Sequence, residues 1–294
     1  MSDAGGIALD TIAAAIGDRL RPGTMPPRPE PGECLTWSAQ GLSQRYFIKS
    51  GDTTVAPRLA AEAAGLAELA LAGMPVPKVV ANVSTDSGAF LVLEHLDLRA
   101  LDRDSGRILG GLLATLHAQT AEAFGGSRNN FIGPTPQDNA PHRTWPHFFA
   151  HRRLAPQLAL AATHGMDRAT LSAGEQLAAD LAGFFTGYQP RPSLLHGDLW
   201  GGNAGAVGAA GAVVYDPAAY YGDREADIAM TELFGGFPDS FYAAYREQAP
   251  LDAGYETRKQ LYNLYHVLNH YALFGEAYLG QARRMIARLN AELR

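Results

Sequence analysis

The side chains best suited to chemistry lie in two short segments, LLHGDLWGGN at 194–203 and AVVYDP at 212–217. In phosphoryl transfer of the kinase type, a carboxylate accepts the hydroxyl proton, an asparagine a few residues later holds a metal ion, and a second aspartate links metal to phosphates. Asp198, Asn203 and Asp216 match these roles in order, with the Asp-to-Asn spacing of the kinase catalytic loop. The alternative is that they only form turns and end a strand.

A kinase site also needs a cation for the nucleotide phosphates, which a strand lysine paired with a helix glutamate supplies in kinases. RYFIKS places Lys49 on a segment with the alternating pattern of a β-strand. Glu62, in the helix-forming segment that follows, is the expected partner, and Glu68 is the second choice. A solvated pair without function is the alternative, and the HGD segment is what favours the functional interpretation.

The loop that covers the phosphates is expected before this strand, in PGECLTWSAQG. It offers Gly32 and Gly41 but lacks the dense glycine pattern of a kinase phosphate loop. If PGEC forms the loop, its backbone N–H groups face the phosphates and Cys34 lies near the nucleotide. A redox role and a packing role for Cys34 both remain open.

The chain up to residue 96 is expected to form a small mixed lobe. Apolar residues at helical spacing predict an opening helix over 7–20, which the proline-rich stretch 22–31 would end. CLTWSAQ and QRYFIKS predict a hairpin joined around Gly41. Residues 56–72 predict a helix, and VPKVVANVS with AFLVLEHL predicts a second strand pair.

Residues 97–294 are expected to form a larger, mostly helical lobe. Apolar periodicity predicts helices in GRILGGLLATLHAQTA and near 145–160, 168–187, 224–234, 238–248 and 256–292. A β-rich interruption spans 194–217, and the Gly/Pro-rich stretch 125–141 is interpreted as a loop. The predicted fold class is therefore α+β, with two lobes divided after residue 96.

The composition excludes several function classes. The net charge of −6, from 24 Lys plus Arg against 30 Asp plus Glu, gives no basic field for a nucleic acid, so none is expected as partner. A single cysteine excludes an intrachain disulfide and a multi-cysteine metal site, and it favours a reducing, cytoplasmic setting. We expect neither a signal peptide nor a membrane partner, because no apolar run approaches the roughly 20 residues of a membrane span.

Longer stretches of the chain resemble one family. LLHGDLWGGN, YDPAAYYGDREADIAM, LFGGFPDSFYAAY and LYNLYHVLNHYALFG are similar, in this order, to segments of the fructosamine kinases (ketosamine 3-kinases), and LVLEHLDL, PQDN and RLAPQL extend the match over nearly the whole chain. The resemblance implies a bilobal protein-kinase-like fold, whose small N-terminal lobe has an antiparallel sheet and one main helix. It also implies an enzyme that uses ATP and Mg²⁺ to phosphorylate the sugar 3-hydroxyl of a ketosamine, a reaction associated with deglycation.

The resemblance further implies roles for individual residues of the nucleotide site. Asp198 would be the catalytic base, and Asn203 and Asp216 would be the magnesium ligands. Lys49 would bind the phosphates, with Glu62 as its partner.

The resemblance also implies where adenine and the phosphates bind. Glu94, His95 and Leu96 would form the hinge whose backbone groups contact adenine. The family's phosphate loop begins with a Gly-Gly pair ahead of a small residue, whereas here Glu33 replaces the second glycine and leaves Gly32 alone. The loop is therefore the part of the site that departs most from the family.

Acceptor-binding residues are expected close to the catalytic loop and on one late helix. Trp200 would present its indole face to a sugar-amine, since indoles stack on apolar sugar faces and attract cationic amines; packing beneath the loop is the alternative. His266, Asn269 and His270 fall about one helical turn apart, and they would either line the substrate pocket or form the polar edge of a core helix.

Two further residues are interpreted as supports of the catalytic loop. His196 is expected to pack and hydrogen-bond within the loop and not to transfer protons. Asp227 resembles the helix aspartate that hydrogen-bonds the loop backbone in kinase-like folds.

Two other functions remain open at this point. One is a different small-molecule kinase, acting on an aminoglycoside or a choline-like acceptor, since those enzymes share the HGD motif. The other is a nucleotide-binding pseudokinase with a regulatory role, against which the intact set of Lys49, Asp198, Asn203 and Asp216 argues. The expected partner is a small-molecule ketosamine or a glycated protein, and the expected state is a monomer or a homodimer.

Overall fold

The computed structural model describes residues 4–21, 30, 32–209 and 211–293. The opening helix, α1, spans Ala4–Ile16. It ends earlier than predicted, because Gly17 adopts a φ of 66°, a left-handed conformation that glycine takes easily. The proline-rich stretch that was expected to end this helix lies mainly outside the described residues.

A four-stranded antiparallel sheet forms the centre of the N-terminal lobe. Its strands are β1 (Leu35–Gln40), β2 (Arg45–Gly51), β3 (Val79–Thr85) and β4 (Gly88–Glu94), in the order β1-β2-β4-β3. β1 with β2 and β3 with β4 are the two predicted strand pairs, so both predictions are confirmed. Lys49 of β2 lies between Thr36 of β1 and Leu91 of β4.

Helices α1 and α2 cover opposite faces of this sheet. α2 spans Ala56–Leu71, close to its predicted bounds. Side chains alternate along a strand, so Ile48 packs with Ile12 of α1, and its neighbour Lys49 points to the other face, where Leu91 packs with α2. The alternation in β2 therefore aims Lys49 at α2.

The C-terminal lobe is mostly helical, and its largest apolar core surrounds the long helix α9. Its helices are α3 (Arg103–His117), α4 (Trp145–Phe149), α5 (Ala155–Thr163), α6 (Arg168–Asp180), α7 (Glu225–Leu233), α8 (Asp239–Gln248), α9 (Tyr255–Phe274) and α10 (Leu279–Glu292). A π-helical turn over Ala150–Leu154 joins α4 to α5.

Two predicted helices are shorter than the apolar periodicity suggested. The stretch 256–292 forms two helices, because Gly275 takes a φ of 78° and a 3₁₀ turn separates α9 from α10. The stretch 168–187 ends its α-helix at Asp180 and continues as a 3₁₀ helix over Leu181–Phe185. The apolar pattern continues across both interruptions, so it did not reveal them.

Six short strands form three hairpins or pairs in this lobe: β5 (Asn130–Ile132) with β6 (Thr135–Gln137), β7 (Ser193–Leu195) with β10 (Tyr220–Gly222), and β8 (Ala204–Val207) with β9 (Gly211–Val214). The interpretation of 125–141 as a loop was wrong, since β5 and β6 make a hairpin there. The Gln137 amide donates to Asn130 Oδ1 at 2.9 Å and ties the two strands together.

The expected lobe boundary after residue 96 falls in the segment between β4 and α3. Within the described ranges, no helix is both long and apolar enough to cross a bilayer.

Candidate active site

A short hairpin brings Asn203 and Asp216 together. Asn203 directly precedes β8, and Asp216 follows β9 after one intervening residue. The antiparallel register continues beyond the strands, because the Tyr215 N–H donates to the Asn203 carbonyl at 3.0 Å. The hairpin therefore places the two candidate metal ligands side by side.

Asp198 lies in the loop after β7 and is bonded to Asn203. The Asn203 amide nitrogen donates to the Asp198 carbonyl at 2.9 Å and to its Oδ2 at 3.0 Å. Burial raises the pKa of Asp198 to about 7, although the Asn203 hydrogen bond acts against this rise. A carboxylate with such a pKa suits proton abstraction near neutral pH.

The loop that carries Asp198 is held from behind by Asp227 of α7. Its Oδ2 accepts the His196 N–H at 2.7 Å, and its Oδ1 accepts the Gly197 N–H at 2.9 Å. His117 Nε2 lies 3.2 Å from the same Oδ2. These contacts are the loop-backbone bonds predicted for Asp227.

His196 links the loop to the residue before Asp216. Its Nδ1 accepts the Asp198 N–H at 3.3 Å, so its Nε2 carries the proton and donates to the Tyr215 carbonyl at 3.0 Å. Burial lowers the pKa of His196, which keeps the ring neutral. These contacts match the interpretation of His196 as a support within the loop.

Lys49 contacts one carboxylate in its own lobe and one in the C-terminal lobe. Its Nζ lies 2.8 Å from Glu62 Oε1 of α2 and 2.6 Å from Asp216 Oδ1. Burial opposes its charge, but Glu62 and Asp216 outweigh burial and raise the pKa of Lys49. Glu68, the second choice of partner, instead lies near Tyr221, whose pKa is raised by burial and by the charge of Glu68. The structure thus brings the expected lysine, glutamate and aspartate into direct contact.

Asp216 adopts an unusual backbone conformation. Its φ of 56° makes it the one non-glycine residue with positive φ among those that the structure describes. Such conformations cost about 1–3 kcal/mol and concentrate at functional sites. The backbone strain therefore agrees with a functional role for Asp216.

Two adjoining cavities meet at Lys49 and Asp216, and Thr36 also lines both. The hinge cavity, of about 270 Å³, is lined mainly by apolar residues and by Glu94, His95 and Leu96. The catalytic cavity, of about 340 Å³, is lined by Asp198, Asn203, Glu62 and Trp200. Together they form one cleft between the lobes.

The three hinge residues differ in whether their backbone N–H group donates a hydrogen bond within the described part of the chain. The Glu94 N–H donates to the Lys78 carbonyl at 3.0 Å, and the His95 N–H donates to the Arg45 carbonyl at 3.3 Å. For the Leu96 N–H, no acceptor is found in the described part of the chain. Leu96 therefore has a free donor at the hinge cavity for a ligand acceptor.

Trp200 begins a row of aromatic rings that leads out of the catalytic cavity. Its side chain is 36% exposed. Its ring lies edge-on to Phe234 at 5.8 Å between centroids, and Phe234 lies 4.9 Å from His270. His270 then contacts Phe274, which is 63% exposed.

Four predicted site residues line neither cavity, and one of them, His270, belongs to the aromatic row beside Trp200. His266 and Asn269 are buried in α9, where burial lowers the pKa of His266 to about 3 and Asn269 Oδ1 accepts from Gln157 at 3.3 Å. The Gly32 N–H donates to Asp52 Oδ2 at 3.0 Å. The binding roles assigned to these four residues stay predictions.

Several lining residues of the catalytic cavity were not predicted from sequence. Asn130 and Phe131 belong to the β5–β6 hairpin, in the stretch that was interpreted as a loop, although PQDN within it had matched the family. Arg58 stands one helical turn before Glu62, and this i, i+4 spacing is a signal that would have found it. Cys34 also lines the cavity, and burial raises the pKa of its thiol, which opposes a reactive thiolate.

The donor set near Asp198 fits a magnesium ion. In the described ranges no group of three His, Cys, Asp or Glu side chains forms a metal cage. Mg²⁺ instead binds through one or two carboxylates together with substrate phosphates. Asp216 supplies a carboxylate at the cavity, and Asn203 uses its amide nitrogen on Asp198, so its Oδ1 remains available.

Known proteins are similar in sequence over most of the chain. The family model for fructosamine kinase matches residues 32–292. A "Probable ketoamine kinase" of Synechocystis is 43% identical over 249 residues, which cover 83% of this chain and 82% of that protein. The ketosamine-3-kinase of Mus musculus is 34% identical over 274 residues, covering 84% and 88%.

A solved structure agrees with the fold. The crystal structure of a candidate fructosamine-3-kinase from Thermobifida fusca matches with a TM-score of 0.85 at 32% identity, covering 96% of this chain and 98% of that one. The predicted α+β, bilobal protein-kinase-like fold is therefore confirmed, and so is the prediction of a phosphotransferase. The match to the family model and the identity to these relatives show that the chain belongs to the fructosamine kinase family.

Proposed function

We propose that this kinase transfers the γ-phosphoryl group of ATP to the sugar 3-hydroxyl of a ketosamine, such as a ribulosamine or fructosamine adduct, and so contributes to deglycation. One observation carries the proposal: Lys49 holds Glu62 and Asp216 in the same cleft that Asp198 lines. The names of the ketoamine and ketosamine kinases among its relatives support the choice of acceptor.

In this proposal ATP lies across both cavities. The adenine occupies the apolar hinge cavity, where the free Leu96 N–H meets a ring nitrogen. The triphosphate then passes Lys49, whose charge Glu62 and Asp216 maintain. Mg²⁺ held by Asn203 Oδ1 and Asp216 would neutralise charge on the phosphate oxygens.

Asp198 performs the proton transfer. The acceptor oxygen attacks the γ-phosphorus, its proton moves to the Asp198 carboxylate, and the bond from the γ-phosphorus to the bridging oxygen breaks to release ADP. The Asn203 hydrogen bond fixes the Asp198 side chain, and Asp227 fixes the loop beneath it. Positioning and charge neutralisation therefore do most of the work.

The aromatic row beside Asp198 accommodates the acceptor. Trp200 stands two residues after the base and exposes its ring at the cavity, where it stacks on the sugar and attracts the secondary amine. Phe234 and His270 continue this surface away from the base. The amine substituent of a free adduct, or the side chain of a glycated protein, extends along it.

A panel of acceptors tests the proposal. ADP release is measured with ATP and Mg²⁺ against fructosyl-lysine, ribulosyl-lysine, an aminoglycoside and choline, and phosphorus–proton NMR locates the phosphate on the product. We expect turnover with the ketosamines and phosphate on the 3-oxygen, and no turnover with fructose or lysine alone. Turnover confined to the aminoglycoside or choline, or phosphate at another position, contradicts the proposal.

A further inference from the structure

Arg58 is a cation in the catalytic cavity to which no role has been assigned. It lies in the first turn of α2, partly buried, and lines the catalytic cavity with Asp198 and Asp216. Because it precedes Glu62 by four residues, both side chains project from the same face of the helix. Its guanidinium therefore faces the cleft together with the Lys49–Glu62 pair.

Among the described residues, no carboxylate pairs with this guanidinium. No ion pair of Arg58 is found there, and both oxygens of Glu62 instead lie within 2.9 Å of Lys49 Nζ. Its described polar neighbour is Cys34, whose pKa is raised by burial and partly lowered again by Arg58. The first turn of α2 also contains no acidic residue, and a cation there is disfavoured by the helix dipole. The guanidinium therefore remains available to an anionic ligand in the cavity.

The position of Arg58 along the cleft indicates which part of the nucleotide it can contact. It lines the catalytic cavity but not the hinge cavity, and the two cavities meet at Lys49 and Asp216. Arg58 is therefore farther from the adenine end than Lys49 is, on the side where Asp198 and Trp200 lie. In the proposed function, this is the side of the cleft where the terminal phosphate meets the acceptor hydroxyl.

We propose that Arg58 binds the γ-phosphoryl group of ATP and stabilises the charge on its non-bridging oxygens during transfer. The inference rests on the proposed function, in which ATP is the donor. A guanidinium presents a planar set of N–H donors that matches phosphate oxygens in bidentate fashion. Its charge acts on the group that moves, so Arg58 contributes more to turnover than to nucleotide binding.

The test compares two arginine variants in the full-length protein. Arg58→Met removes the charge and keeps a helix-forming side chain of similar length. Arg168→Met is the matched control, because Arg168 is the exposed first residue of α6, lines neither cavity and has no ion-pair partner among the described residues. Calorimetry gives Kd for ATP and for ADP, each with Mg²⁺, and thermal unfolding confirms that both variants fold.

We expect Arg58→Met to weaken ATP binding about tenfold while ADP binding changes less than about twofold. kcat should fall about 10²- to 10³-fold, as when one preorganised charge donor is removed. Arg58→Lys should recover part of this loss, and Arg168→Met should behave as the wild type. To separate acceptor binding, kinetics use fructosyl-lysine and a fructosamine of a simple alkylamine that lacks a carboxylate.

Four outcomes overturn the inference. Wild-type kcat and an unchanged ATP-to-ADP affinity ratio in Arg58→Met would exclude a γ-phosphate contact. Equal weakening of ATP and ADP would assign Arg58 to the phosphates that both share. A rise in KM confined to the acceptor with a carboxylate would assign Arg58 to the acceptor. Failure of the wild type itself to bind either nucleotide would defeat the proposed function as well, whereas the first three outcomes leave it intact.

Discussion

Two aspartates, Asp227 and Asp198, lie on opposite sides of the catalytic loop, and their carboxylate oxygens have different numbers of hydrogen-bond donors. Behind the loop, Asp227 accepts two backbone N–H groups and contacts His117, so both of its oxygens have protein donors. In front of the loop, Asp198 Oδ2 accepts from Asn203, and its carboxylate faces a cavity. Both oxygens of Asp227 therefore accept hydrogen bonds within the protein, whereas Asp198 Oδ1 is available to a ligand.

The pKa shifts of these two aspartates run in opposite directions. Burial disfavours the charge of both. For Asp227 the donors from His117 and the loop backbone outweigh burial and lower its pKa. For Asp198 the single bond from Asn203 is not enough, and the pKa rises to about 7. The protein therefore favours the charged form of Asp227, on one side of the loop, and disfavours the charged form of Asp198, on the other side.

The largest expected effect comes from Asp198→Asn. Removing the base should lower kcat about 10²- to 10⁴-fold, since general base catalysis contributes this much. ADP binding and folding should persist, because within the described structure the Asp198 carboxylate accepts a hydrogen bond from Asn203 alone. Steady-state kinetics with the preferred ketosamine and calorimetry with ADP measure the two quantities.

The matched control for this variant is Asp86→Asn, which changes an exposed aspartate in the turn between β3 and β4. It should leave kcat unchanged. If Asp198→Asn turned over at the wild-type rate, Asp198 would not be the base, and the distinction between the two carboxylates would lose its functional meaning.

Local spacing was enough to predict the parts of the site that lie close in sequence. Asp198, Asn203 and Asp216 sit on one loop and one hairpin, so the antiparallel pairing of β8 with β9 brings them together. The contact from Lys49 to Asp216 spans 167 positions, and no local pattern can encode it. The kinase pattern assigned Lys49 and Asp216 to the same nucleotide site, but it did not specify a direct contact between them.

Other features depend on which face of an element meets the cleft, and periodicity does not specify this. His266 and Asn269 share a helix with His270, yet the first two are buried in the core and His270 joins the aromatic row. Asn130 reaches the catalytic cavity because an unforeseen hairpin carries it there. Tertiary packing decides these placements, so a single sequence leaves both outcomes open.

A smaller but different effect is expected for Asp227→Asn. The amide presents an N–H₂ group where the wild type accepts backbone N–H groups from His196 and Gly197, so at least one buried donor loses its acceptor. We expect a loss of about 2–4 kcal/mol in the free energy of unfolding. Urea denaturation of the nucleotide-free protein measures it, again with Asp86→Asn as the control.

The proposed difference between Asp227 and Asp198 would be contradicted if Asp227→Asn unfolded at the same urea concentration as the wild type. It would also be contradicted if Asp198→Asn at pH 8 showed the larger loss of stability. In either case the number of protein donors on a carboxylate would not distinguish a structural role from a catalytic one in this fold.

The smallest expected effect is the pH dependence of the difference in Tm between each variant and the wild type. An unfolded aspartate titrates near pH 4, whereas folded Asp198 titrates at about 7. Between these values the folded state binds more protons than the unfolded state, so the contribution of Asp198 to stability falls as pH rises. The Tm of Asp198→Asn relative to the wild type should therefore increase from pH 5 to pH 8, by about 2 °C or more.

Asp227 should show no such trend over the same range. Its pKa is lowered in the folded state, so its contribution is complete above about pH 4 and is lost only below that value. The Tm difference between Asp227→Asn and the wild type should thus stay constant from pH 5 to pH 8. Thermal unfolding of the three proteins without nucleotide at four pH values decides the matter. Parallel curves for Asp198→Asn and the wild type would mean that the fold does not disfavour the charge of Asp198.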